Sequence, residues 1–138
     1  MKLELAQPGL RRSWELRRDG EVVATLRIPV FRRGAELEIG AERLAIKPQR
    51  ELELDGRRAE WKSLGRKVGS GFVGPDGETL VRGKLRTGLT RTTGELQAAD
   101  DLPEHDALLA AAMTAYLLIR KADDTAGAAA ASVAATSG

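Results

Sequence analysis

Cysteine is absent from the 138 residues. There is therefore no disulfide framework, no thiolate metal site and no cysteine nucleophile. Aromatic residues are scarce, with two Trp, one Tyr and two Phe, too few to interleave with basic residues as a platform for nucleic-acid bases. Histidine occurs once, as His105 between Glu104 and Asp106. A catalytic or metal role for it would need partners from distant strands, and a solvated or helix-capping side chain is the plainer reading. Ser13, Ser63, Ser70, Ser132 and Ser137 lack the Gly-x-Ser-x-Gly elbow context of a hydrolase nucleophile. Nothing in these residues calls for a cofactor, and an enzyme is not expected. The first eight residues alternate polar with apolar and hold no signal-peptide core, which reads as a cytoplasmic protein.

Long apolar runs are also missing, with one exception. Ala107 to Ile119 is apolar at every position but Thr114. Its Ala, Leu and Met content favours helix. Pro103 suits a first helical position, and Glu104 and Asp106 complement the positive end of the helix dipole, as Arg120 and Lys121 do the negative end. The apolar residues cover the whole circumference, so the helix must be buried on all sides. At about 1.5 Å per residue the run reaches roughly 20 Å, short of the span a bilayer needs. A core helix over about 102–121 is expected. The Ala/Gly/Ser-rich residues 122–138 read as a flexible tail.

Nearly everything before the helix has period two. Alternating segments occur at 2–6, 13–17, 21–28, 35–39, 42–47, 51–54, 57–64, 68–73, 78–86 and 90–98. Asp19-Gly20, Asp55-Gly56 and Pro75-Asp76-Gly77 are turn signals between them. Short strands with turns every 8–12 residues or so indicate an antiparallel meander forming a barrel or sandwich. One-sided strands and an all-round apolar helix satisfy each other if a curled sheet wraps the helix. The expected fold is mainly β, an antiparallel barrel or barrel-like sheet around a single C-terminal helix, in one domain over 1–121.

That order of elements resembles the tubby C-terminal-like superfamily, which includes tubby proteins, plant LURP-one-related proteins and phospholipid scramblases; the chain looks like a small bacterial-type member. The likeness is carried by Trp14 to Gly20, Leu52 to Gly56, the Val68-Gly-Ser-Gly-Phe72 strand, and Asp101 to Arg120. The resemblance implies a closed antiparallel barrel of about a dozen strands threaded by the helix. This chain is short for that, so a reduced or partly open barrel is expected. Members bind phosphoinositides or other membrane lipids, or have no assigned activity. The tubby lipid-binding residues do not map here one by one, and the scramblase calcium and palmitoylation segments are absent.

Two glycine motifs fail on context. Gly69-Ser-Gly71-Phe-Val-Gly74 spells a dinucleotide fingerprint, but a turn and a strand come next where a helix must open. Strand glycines at a bulge, or packed closely against the helix, fit better. Gly77 to Lys84 is one residue too long for a phosphate loop, and Leu85 stands where Ser or Thr must hold magnesium.

Charge offers the one functional pointer. Residues 1–67 hold 16 basic against 11 acidic side chains, and residues 68–138 hold 6 against 9. Arg82, Lys84 and Arg86 alternate along one strand and emerge on one face. Such a stripe fits an anionic lipid surface, with the protein peripheral at a membrane. The plainer alternative pairs it with Glu36, Glu38, Glu51 and Glu53 on neighbouring strands. A structural or protein-interaction module, oligomeric through unpaired strand edges, is the other functional reading. Nucleic acid is not an expected partner.

Overall fold

The computed structural model describes residues 1–9, 11–29, 33–87 and 92–137, with side chains described up to Asp124 except that of Thr87. Its elements are ten strands, β1 (Lys2–Ala6), β2 (Ser13–Arg18), β3 (Glu21–Arg27), β4 (Ala35–Ile39), β5 (Glu42–Ile46), β6 (Glu51–Leu54), β7 (Arg57–Ser63), β8 (Ser70–Val73), β9 (Thr79–Thr87) and β10 (Thr92–Ala98), and one helix, α1 (Glu104–Ser137). The strand expected from Thr90 starts at Thr92; residues 90 and 91 lie outside the described residues.

All ten strands form one antiparallel sheet in the order β5-β4-β3-β2-β1-β10-β9-β8-β7-β6. Two five-strand meanders meet in the middle, where Lys2 faces Gln97 and Leu5 faces Gly94. The sheet is not closed: β5 and β6, successive in the chain, are its two edges. Asp19 and Asp55 take left-handed φ values of 52° and precede glycines at 83° and 74°. That is the backbone a two-residue hairpin requires.

The inward pleat positions and α1 make one core. Leu3, Leu5, Trp14, Leu16, Leu26, Leu37, Leu54, Phe72, Val81 and Leu96 are buried with Ala110, Ala111, Met113, Tyr116 and Ile119. The helix lies chiefly on β9, β10 and β8. Gly83 admits it there: a Cβ at that position would stand 2.5 Å from Leu96, 3.0 Å from Thr114 and 3.1 Å from Leu118 side-chain atoms. Thr114, the single polar residue in the apolar run, donates its hydroxyl to the Ala110 carbonyl at 2.8 Å. The buried Tyr116 hydroxyl accepts the Gly34 N–H at 2.9 Å and a bond from Arg120 at 3.2 Å. Arg12 donates to the Ile28 carbonyl, stacks on Trp14 and pairs with Asp123, fastening the far part of the helix to β2.

Three expectations change. Two bulges reverse the pleat. The β2–β3 register shifts so that Arg17 faces Val22 and Val23 is extra, and Val22, which strict alternation over 21–28 would bury with Ala24, Leu26 and Ile28, is 49% exposed. The β8–β9 register shifts so that Val73 faces Thr79, and Leu80 is buried beside Val81 rather than sharing the face of Arg82. The helix starts at Glu104 and continues past Lys121 to Ser137, over residues expected to form a flexible tail; alanine, which dominates that stretch, is the strongest helix former. Gly138 lies outside the described residues. Among the described residues no helix is long and apolar enough to cross a membrane.

Candidate functional site

The strip β2-β1-β10-β9 places outward side chains in rows. Arg17, Glu4, Glu95 and Lys84 stand side by side across four strands, and Lys2, Gln97 and Arg82 form the next row. A closed turn after β7 borders the strip. Leu64 N–H donates to the Gly69 carbonyl at 2.8 Å, and Gly69 N–H donates to the Gly65 carbonyl at 2.9 Å. Gly69 lies so close to β9 that a Cβ would sit 2.0 Å from the Gly83 carbonyl oxygen. The turn thereby projects Lys67 and Val68 over the strip.

Strip and turn enclose an open hollow of about 450 Å³ lined by Lys2, Arg17, Lys67, Arg82 and Lys84 against Glu4, Asp19 and Glu95. The cations outnumber the carboxylates, and they are unequally committed. Arg82 donates to Gln97 Oε1 at 2.6 Å, and Arg17 pairs with Glu15. Glu95 is held by Arg86 at 2.7 Å, which removes one acid from the balance inside the hollow. The ammonium groups of Lys2, Lys67 and Lys84 form no ion pair or hydrogen bond among the described residues. On β6 and β7, Glu51 pairs with Arg58 and holds that guanidinium above its ordinary pKa.

Of the three basic residues expected to act together, Arg82 and Lys84 line the hollow. Arg86 points the same way but lies outside it, 69% exposed and paired with Glu95. The carboxylates expected opposite this stripe are elsewhere: Glu51 and Glu53 sit on β6, three strands from β9, and Glu36 and Glu38 on β4 in the other half of the sheet. The neighbours across from the stripe are Gln97, Glu95 and Thr93. Lys2, Arg17 and Lys67 carry no local sequence signal for this site; the pairing of β1 with β10 brings Lys2 and Arg17 there, and the turn packed on β9 through Gly69 brings Lys67. His105 lies far from the hollow, 3.3 Å from Glu42 at the edge of the sheet. The Gly69–Gly74 motif serves sheet packing. A Cβ at Gly71 would meet the Val81 carbonyl oxygen at 2.1 Å, so these glycines let β8 approach the β9 backbone.

The two large hydrophobic residues that are exposed among the described residues are Val22, at 49%, and Val68, at 37%. Val68 lines the hollow, and Val22 faces Arg17 across the β2–β3 hairpin. Basic groups and isolated apolar side chains thus share one surface. Comparison of the chain with protein-family models, with curated proteins and with solved structures gives no match.

Proposed function

We propose that the protein is a non-enzymatic, tubby-like domain of the cytoplasm that binds phosphate-bearing lipid headgroups at the outward hollow, peripheral to a membrane. The observation that carries this reading is the convergence of Lys2, Lys67 and Lys84, without an ion pair among the described residues, beside Arg17 and Arg82, five cations against the three carboxylates of Glu4, Asp19 and Glu95. Each basic group near an anionic bilayer contributes about 1 kcal/mol, and salt screens it beyond a Debye length of about 8 Å at physiological ionic strength. Val22 and Val68 supply small apolar contacts at the rim. Arg86, committed to Glu95, plays a lesser part. What supports the tubby-like reading is the succession of ten antiparallel strands followed by one apolar helix packed on the sheet.

The test is co-sedimentation with phosphatidylserine vesicles at low and high salt. Wild type pellets at low salt and is released by high salt. Lys67→Glu with Lys84→Glu abolishes pelleting, and Arg86→Glu weakens it less than Lys84→Glu does. Failure to pellet at low salt overturns the proposal. The unpaired edges β5 and β6 favour a second reading, a protein-interaction module without a lipid ligand, which predicts indifference to vesicles.

A further inference from the structure

Glu4 on β1 stands directly opposite Glu95 on β10, and both line the hollow. The Cβ atoms of such a pair lie about 4.5–5.5 Å apart, and like charges so placed destabilise a sheet. Glu95 is relieved by Arg86, which holds it at 2.7 Å. Glu4 is not relieved. Its neighbour on the other side is Arg17 of β2, but that guanidinium turns along its own strand to Glu15, and its Nε is buried without an acceptor. Glu4 forms no ion pair or hydrogen bond among the described residues. Lys2 lies two residues away on the same face of β1, about 7 Å along the strand, and is equally unpaired. Lys84 stands in the row of Glu4 with Glu95 between them. Free carboxylate and free ammonium groups therefore share one hollow without meeting.

We propose that the hollow selects lipid headgroups that carry a primary ammonium as well as a phosphate, and that Glu4 reads the ammonium. This rests on the lipid reading and specifies the headgroup. A plain anion gains from Lys2, Lys67 and Lys84 but is repelled by Glu4. A headgroup with phosphate and ammonium two carbons apart is complementary to both kinds of free group. Its phosphate lies toward Lys2 or Lys84, and its ammonium lies over Glu4, where it also offsets the like charge of Glu95. An ammonium has three donors and suits facing carboxylates. A metal ion is the less apt cation, because it takes more oxygen ligands, and no group of three or more acidic or histidine side chains able to hold one gathers among the described residues. Phosphatidylserine has the required chemistry. Phosphatidylglycerol carries the same net charge and has hydroxyls in place of the ammonium.

The full chain is sedimented with phosphatidylcholine vesicles holding equal mole fractions of phosphatidylserine or phosphatidylglycerol, at low salt with EDTA. Wild type reaches half-pelleting at about three- to fivefold less phosphatidylserine than phosphatidylglycerol, the scale of one exposed ion pair. Glu4→Gln, at an exposed position, removes that preference. Glu36→Gln, exposed on β4 outside the hollow, makes the same change in net charge and keeps it. Equal pelleting of wild type on the two lipids, or a preference that survives in Glu4→Gln, overturns the proposal and leaves the lipid reading standing. So does a preference that appears only when calcium is added, which would make a metal the bound cation. No pelleting on either lipid overturns both. Soluble O-phosphoserine that shifts the Glu4 amide resonance in that event would make a free phosphate ester the ligand.

Discussion

Thr114 and Gly83 face each other where the helix packs on β9, and their tolerances differ. The Thr114 hydroxyl is satisfied within its own helix, so Thr114→Val removes a donor and the need for it together. The expected change in stability is below about 1 kcal/mol by urea denaturation. Gly83→Val places two methyl groups where Leu96, Thr114 and Leu118 already stand. Overpacking of this kind costs about 1–3 kcal/mol, read as a lower urea midpoint at unchanged slope. Tyr116→Phe strands the Gly34 N–H, at a cost of about 1–3 kcal/mol. Of the residues that line the hollow, Arg82 and Lys84 are legible from the sequence because alternation along one strand places them on one face. Lys2 and Arg17 are not, since their place beside β9 depends on a pairing between residues about ninety positions apart, and Lys67 is not, since a turn outside the strand pattern carries it.

At the scale of elements, the strand boundaries are legible because Asp-Gly turns and strict alternation agree. The two bulges are not: a single extra residue leaves the local pattern intact and reverses only one side of the strand, which is why Val22 turns out and Leu80 turns in. The helix is legible from composition, but its length is not, since an alanine-rich stretch reads equally as tail or helix. Ala111 is fully buried in mid-helix. Ala111→Asp would place an unpaired charge there, a mechanism that accounts for the largest single-site losses. The expected thermal melt shows no cooperative transition, with loss of near-ultraviolet dichroism at ambient temperature.

At the scale of the whole molecule, the pairing that holds the halves together is also the least local. β1 joins β10, and its Leu5 is 1% exposed. Leu5→Ala should cost about 2–5 kcal/mol through lost contacts and the cavity left behind. Long-range pairing forms late where loop-closure entropy must be overcome first. That loss should therefore fall mainly on the unfolding rate in stopped-flow chevrons, with the folding rate little changed.

The position of the 47–50 connection has a practical consequence. It is the single covalent link between two complete meanders, and it crosses no ladder, because it joins the sheet's opposite edges. Lys47, Gln49 and Arg50 are exposed. A backbone nick between Pro48 and Gln49 would thus leave every hydrogen-bonded pair of strands within a fragment or across β1 and β10. The two pieces, five strands and five strands with the helix, form a natural fragment-complementation pair. Each would be incomplete alone, the first lacking the helix that its inward leucines cover, and they would reassemble when mixed.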